Sequence, residues 1–371
     1  MGNWKNGELG DFVTLKRGFD LPQQKREDGQ VPIFSSSGIT GTHSTAMVKA
    51  PGVITGRYGT IGEVFYAAKD FWPLNTTLFV EDFHGNDAKF IYYFLKTLEW
   101  SKFTSASAVP GINRNTVHKE IVSLPDIETQ RRIASTLSMF DEKIKINTEI
   151  NDNLEQQAHS YFQELFVDNA SPEWTTGTIS DLGTVVGGST PSKAKPEYYT
   201  ESGIAWITPK DLSINKSKFI SHGENDITEL GLKNSSAAIM PEGTVLFSSR
   251  APIGYIAIAA GEVTTNQGFK SVVPKPEIGT PFVYFFLKNT LPVIEGMASG
   301  STFKEVSGST MKNVPAVIPD AEILAKFSDF CAPIFAQQRT LEEQNQSLAK
   351  LRDSLLPKLM SGEIDVSAVH L

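Results

Sequence analysis

Eight residues at positions 90–97, "FIYYFLKT", return 192 positions later as "FVYFFLKN" at 282–289. A repeat on this scale constrains the fold more than any single motif. Other peptides recur in the same order. "WKNGELGDFVTLKRG" from Trp4 is answered by "WTTGTISDLGTVVGG" from Trp174, and "VPIFSSSGITG" by "GIAWITPKDLS". "APGVITGRYGTIGEVFYA" is answered by "MPEGTVLFSSRAPIGYIAIA". Each half then reaches a Ser/Gly-rich stretch, "SASAVPGINRNTVHKEIVSLPD" or "ASGSTFKEVSGSTMKNVPAVIPD". The period of about 170 to 194 residues is far above the 20–50 of a solenoid. One globular domain with its own long segment is therefore written twice.

The long segments are predicted helices. Each opens with Pro-Asp-x-Glu, which sets Asp126 and Asp320 as N-caps, with Glu128 and Glu322 in the first turn. Apolar residues then recur with a coiled-coil period. The first segment gives Ile133, Leu137, Phe140, Ile144, Asn147, Asn151, Leu154, Ala158, Tyr161 and Leu165. The second gives Phe327, Ile334, Gln338, Leu341, Asn345, Leu348 and Leu355. Both seams are apolar at the ends and amide-lined in the middle, so they are expected to pair with each other. Buried amides cost stability but fix register and partner. At roughly 35–40 residues each helix extends about 55 Å. "GVITGRYGTIGEVFYA" reads as strand, glycine turn, strand, and the two aromatic octapeptides read as short buried helices. The class is α/β (mixed α+β).

Enzyme signatures are missing. There is no G-x-x-x-x-G-K-[ST] loop, no G-x-G-x-x-G after a strand, no H-E-x-x-H and no G-x-S-x-G elbow. The six histidines are scattered, and Asn-Pro-Pro-aromatic, the motif that holds a target amine in amino-methyltransferases, does not occur. The single cysteine, Cys331, forms no internal disulfide or Cys-based zinc site and reads as buried filler. No run of 18 apolar residues occurs and "MGNWKNGELG" has no apolar core, so a cytoplasmic location is expected. No cofactor and no metal is expected in this chain.

The net charge of −8 argues against a chain coated with nucleic acid, but its distribution is uneven. The segments 126–172 and 320–371 carry −5 and −3, while 1–125 and 173–319 carry +1 and −1. The acidity lies in the helices, and the globular halves can present basic loops. Candidates are Lys16, Arg17 and Arg114 in the first half and Lys193, Lys210 and Lys304 in the second, with Lys216 and Lys218 among further loop lysines. Arg57 in "TGRYGTIG", beside Tyr58, and Arg250 in "SSRAPIG", beside Ser249, are read as matching points of the repeat before a glycine turn. An arginine there can take guanine O6 and N7, and equally a structural carboxylate. Asn75 in "NTTLF" and Asn266 with Gln267 in "NQGFK" are read as a second matching pair. Such amides suit adenine, or a backbone turn.

Taken together, the duplicated order of domain and helix, "RYGTIG" and "SRAPIG", "FLKT" and "FLKN", "LPDIETQRRI" and the terminal "LRDSLLPKLMSGEIDV" resemble the specificity subunits of type I restriction-modification systems. The likeness covers essentially the whole chain. It departs at "IPDAEILAKF", which lacks the Glu-Gln that usually opens the second helix. It implies target recognition domains at 1–125 and 169–319, long helices at 126–168 and 320–360, and a tail at 361–371. The two similar target recognition domains would be joined and separated by two long antiparallel coiled-coil helices. Each domain would read one half of a bipartite site in double-stranded DNA, and the helices would set the spacing. Two modification subunits carrying S-adenosylmethionine would dock on the helices and methylate adenine, and restriction subunits would join through them. Loop differences between "RGFDLPQQKREDGQ" and "GGSTPSKAKPEYY" imply unlike half-sites. A coiled-coil scaffold or carbohydrate-binding protein with two repeated modules is the alternative of another class.

Overall fold

A computed structural model describes residues 4–104, 111–300 and 304–367. The Ser-rich positions 105–110 and residues 301–303 of the matching stretch lie outside the described residues. The chain forms two compact units, Met1–Ile144 with Gln346–Leu371, and Lys145–Asn345. The unit boundary falls inside both long helices, so each unit holds one globular half and a piece of each helix.

In the first unit, a four-stranded antiparallel sheet runs Thr14–Arg17, Thr77–Asp82, Gly52–Gly56, Val64–Ala67. A three-stranded sheet of Gly38–His43, Val31–Ser35 and Trp72–Pro73 accompanies it. The chain ends of the globular half are closed by Lys5–Glu8 pairing antiparallel with Ile121–Leu124. Helix Ala88–Lys96 carries the first aromatic octapeptide and is capped by Asp87, which accepts from Phe90 N at 2.8 Å. Its Phe90, Ile91 and Leu95 are fully buried in one core with Ile133 and Leu137 of the first long helix and Leu359 and Met360 of the second. Asp141 joins the same three elements: it accepts from Tyr93 Oη, and its Oδ1 lies 2.5 Å from Arg352 Nη1. Burial, then the Asp141 carboxylate, raises the Tyr93 phenol.

In the second unit, the main sheet runs Gly183–Gly187, Lys270–Pro274, Val245–Ser249, Ile253–Ala259, Phe219–Ile220. A second sheet runs Tyr199–Thr200, Asn225–Ile227, Ile204–Ile207, Thr264–Thr265. Thr175–Thr178 pairs with Pro315–Ile318, as Lys5–Glu8 does with Ile121–Leu124. The second octapeptide lies in a helix of 17 residues, Thr280–Gly296, against nine in the first unit. "NTLPVIEG" continues the helical turn, whereas "TLEWSKF" breaks into a 3₁₀ turn at Trp100–Phe103. Most aromatic residues of both octapeptides are core, and Tyr92 and Phe286 are partly buried against it. Phe282 and Phe285 pack with Phe162 and Phe327.

The long helices span Ile127–Gln163, followed by a π-helical turn at Glu164–Asp168, and Ala321–Met360. Asp126 caps the first through Thr129 N at 2.9 Å. Asp320 accepts from the Trp174 indole at 3.2 Å, tying the second helix to the start of its globular half. Within each unit the two helices run antiparallel, since partners descend in one as they rise in the other. Asn147 Nδ2 donates to Asn345 Oδ1 at 2.9 Å, and Asn151 and Gln338 exchange side chain-to-backbone bonds at 3.3 and 3.1 Å. Ile133, Leu137, Asn147, Ile334, Gln338 and Leu341 are buried; Phe140, Ile144, Asn151, Leu154, Asn345, Leu348 and Leu355 are half-buried. Cys331 is buried, and burial pushes its thiol up to about 12.

Lys218 departs from its sequence reading. As a loop lysine it was expected to contribute to a basic face; instead its side chain is 6% exposed beneath Phe335, with Nζ 3.4 Å from the ring centroid. Nζ donates to Glu155 Oε2 at 2.8 Å and to Gln338 Oε1 at 2.9 Å, while Glu342 accepts from Lys218 N and Phe219 N. Lys288 and Tyr284 also reach Glu155. Burial lowers Lys218 to about 8 in spite of Glu155. Burial by itself would raise Glu155, but Lys218 and Lys288 outweigh it and hold the carboxyl at about 2. Both are ionised at neutral pH, and they clamp the strand Phe219–Ile220 to the two helices.

Candidate nucleic-acid interface

The first unit gathers its candidates in one place. Strands Thr14–Arg17 and Gly52–Gly56 flank the start of Thr77–Asp82 in the sheet, with Arg17 opposite Leu78 and Gly56 opposite Thr77. Both therefore end at one edge, delivering Lys16 and Arg17 from one side and Arg57 and Tyr58 from the other. The segment before helix Arg114–His118 completes the rim. Ile112 N donates to Arg57 O at 3.1 Å, and Tyr58 forms a bridge with Gly111. Leu15 N donates to His118 Nε2 at 2.8 Å, so the short helix is fixed to the sheet. Burial, then Arg114, lowers the His118 imidazole, which suits this acceptor role.

The result is a cleft of about 620 Å³ whose lining includes Lys16, Arg17, Arg57 and Arg114 and, among the described residues, no acidic one. Asn113 and Asn115 add amides to its wall. Arg57 lies with its guanidinium carbon 4.5 Å from the Tyr58 ring centroid and donates from Nε to Ile112 O at 3.4 Å. Lys16 pairs with Glu81, and Arg17 Nη2 lies 3.6 Å from Asp20 Oδ1. Exposed pairs like these are worth about 1 kcal/mol or less, so a phosphate can displace them. Asn75 is half-buried at the neighbouring turn and donates to Asp20.

The second unit distributes its candidates differently. Lys193, Lys210 and Lys304 are exposed on three separate segments, and Lys210 pairs with Glu224 at 2.6 Å. Ser249 is a correction: it is fully buried, and its hydroxyl donates to Gly268 O at 3.0 Å, so it holds the strand end and presents nothing to a ligand. Asn266 turns its Oδ1 onto Gly268 N at 2.8 Å, the backbone-turn role open to such an amide. Gln267 is exposed and accepts from Thr190 Oγ1.

Hydrogen bonding also shifts the repeat by one residue at these sites. Gly56 pairs with Thr77, and Ser248 bridges Phe269. Arg57 N donates to Thr76 O, and Ser249 N to Gly268 O. Ile112 N donates to Arg57 O, and Val306 N to Ser249 O. Arg57 is thus the counterpart of Ser249, Tyr58 of Arg250, and Asn75 of Gln267. The matching of Arg57 with Arg250 and of Asn75 with Asn266 is overturned. The turn after the strand needs a left-handed residue in both units, supplied by Gly59 at φ 77° and Ala251 at φ 47°.

Sequence reasoning missed Gly111, Lys270 and Glu305. Lys270 Nζ and Arg250 Nη1 lie 3.8 and 3.6 Å from the two oxygens of Glu305. Burial lowers the Lys270 amine, against the pull of Glu305.

Two globular units of one plan, each built around a largely antiparallel sheet and a segment of an antiparallel helix pair, define a class of duplicated two-unit proteins. The chain belongs to the family described as type I restriction modification DNA specificity domain, whose model matches residues 1–156 and 172–349. It is 38% identical over 192 residues to the type I restriction enzyme MjaIX specificity subunit of Methanocaldococcus jannaschii. That match covers 51% of this chain and 44% of that protein, less than half its length. It is 24% identical over 347 residues to the type I restriction enzyme HindI specificity subunit of Haemophilus influenzae, covering 72% and 75% of the two chains. The crystal structure of the type I restriction-modification system S subunit from M. genitalium shares the fold, with a TM-score of 0.63, 20% identity and 96% of each chain covered.

Proposed function

We propose that this chain is the non-catalytic, DNA-reading subunit of a type I restriction-modification complex, with one half of a split target assigned to each globular unit. The observation that carries the reading is the first unit's cleft, where four cations converge and no carboxylate is among the described lining residues. Such a surface suits the phosphate backbone, which supplies sequence-independent affinity. Arg57 on its aromatic shelf suits a base edge, where a bidentate arginine selects guanine. Family membership supports the same reading.

The long helices are proposed to serve two roles: their length sets the gap between half-sites, and their acidic outer faces seat two modification subunits. S-adenosylmethionine and the methyl transfer to adenine N6 belong to those partners, and restriction subunits join through them. In this reading the protein acts in the cytoplasm. Among the described residues no helix is long and apolar enough to cross a membrane.

The test is the salt dependence of binding. With a type I modification subunit present, affinity for randomised 40-bp duplexes falls steeply between 50 and 200 mM salt, roughly 0.9 log units per log salt for each phosphate neutralised. Replacing both Arg17 and Arg114 by alanine lowers that slope by about one to two. A slope near zero, or one unchanged by the replacements, contradicts the cleft as the DNA surface and favours the scaffold alternative.

A further inference from the structure

One framework position differs between the units in what it offers. In each, a residue just past the end of an equivalent strand forms an isolated bridge to a residue from a distant segment: Tyr58 with Gly111, and Arg250 with Glu305. Backbone bonds hold both bridges alike, since Ile112 N and Val306 N donate to the carbonyl just before the bridge. The side chains at the bridge differ.

In the first unit the bridge makes a shelf. A Cβ at Gly111 would lie 2.2 Å from Tyr58 Cε1, so the ring rests on the bare backbone of the glycine. The ring carries the Arg57 guanidinium, and Ile112 O takes its Nε–H. In the second unit there is no shelf. The arginine itself stands in the aromatic place, and a carboxylate stands where the glycine was. Glu305 is fixed by two backbone bonds with Ser299, at 2.9 and 3.1 Å. Its carboxylate stands between Arg250 and Lys270 at long pairing distances, with 39% of the side chain exposed.

A carboxylate at such a place weakens the attraction for phosphate, so it does not serve backbone binding. Its chemistry suits a hydrogen-bond donor on a base edge, the exocyclic amino group of cytosine or adenine. The neighbouring guanidinium suits guanine O6 and N7. We propose that the bridged pair is the specificity-determining position of each unit, with Glu305 accepting from a base amino group in the second half-site while aligning Arg250, and Tyr58 on Gly111 aligning Arg57 in the first. This rests on the DNA-reading function proposed above.

The experiment maps adenine methylation in cells carrying a type I modification subunit with the wild-type chain or a variant. Glu305→Gln keeps the size and removes the charge. Discrimination at one base of the second half-site falls by roughly ten- to one-hundred-fold, and the first half-site is unchanged. Glu305→Asp keeps the carboxylate and retains the base preference, which separates this role from a merely structural one. Tyr58→Leu changes one base of the first half-site only, as does Gly111→Ala if it folds. Methylation motifs identical to wild type for both Glu305→Gln and Tyr58→Leu overturn the proposal while leaving the DNA-reading function standing. A wild-type chain that yields no new methylation, with the modification subunit expressed and bound, overturns both.

Discussion

Arg57 and Lys16 line the same cleft but are assigned different tasks, and replacing each tests the division. Arg57→Ala removes a base-reading group, so affinity for the cognate site falls by about 1–3 kcal/mol while binding to random duplex changes little. Lys16→Ala weakens both equally and lowers the salt slope by about one. Equal loss on both duplexes from Arg57→Ala contradicts the base-reading assignment. Buried charge gives a second test. Glu155 is held at about 2, below its ordinary 4.5, so its stabilisation is fully present above pH 4.5 and is lost as pH falls through about 2. Lys218, lowered to about 8, has the opposite origin: its native form sheds a proton more readily, so stability rises with pH between 8 and 10.5. Glu155→Gln leaves Lys218 buried without an ionised partner and costs about 3–5 kcal/mol at pH 7. Urea unfolding of the variant then shows a shallower acid-side dependence between pH 4.5 and 2, by the share that Glu155 carries; an unchanged pH profile contradicts the clamp.

Much of the first cleft was legible at this scale, because cations beside Gly, Asn and Thr at strand ends mark loops that face outward. The one-residue misalignment of Arg57 with Arg250 had a visible antidote. The shared Ile-Gly lies four residues after Arg57 but three after Arg250, so the framework and the arginines are out of step. Glu305 and the burial of Lys218 were not legible. The first depends on a bridge across 55 residues, the second on rings from the Thr280–Gly296 helix and the second long helix.

At the scale of elements, the helix seam was the clearest text in the sequence, since a period of seven survives any detail of packing. Its polar middle now has a geometry. Asn147 is fully buried and donates to Asn345 Oδ1 at 2.9 Å and Gln344 Oε1 at 3.4 Å. Its own Oδ1 accepts no bond among the described residues, so this layer costs stability. Asn147→Leu alone strands the facing amides and destabilises by about 1–3 kcal/mol. Asn147→Leu with Asn345→Leu restores or exceeds wild-type stability, as replacement of a buried polar pair by packed apolar residues does. Thermal melting of the two variants decides it: a double variant less stable than the single contradicts an amide layer kept for register. The different lengths of the two aromatic helices were not foreseen, because the octapeptides are alike and the residues after them decide where each helix stops.

At the scale of the molecule, duplication announces two similar units, and the unlike residues at equivalent positions announce two unlike targets. Replacing residues 1–125 by the corresponding domain of another family member therefore changes one half of the recognised site and leaves the other half intact. Loss or change of both halves contradicts modular reading. The base sequence itself was not legible, because it depends on which side chains face which base edges.

The measurement that bears most directly on the central claim is adenine-methylation mapping of a genome in cells that carry this chain with a type I modification subunit, against cells lacking this chain. The proposed DNA-reading function predicts a new split motif, with two unlike halves separated by a fixed gap. No new methylation, with the modification subunit shown to be expressed and bound to this chain, contradicts it.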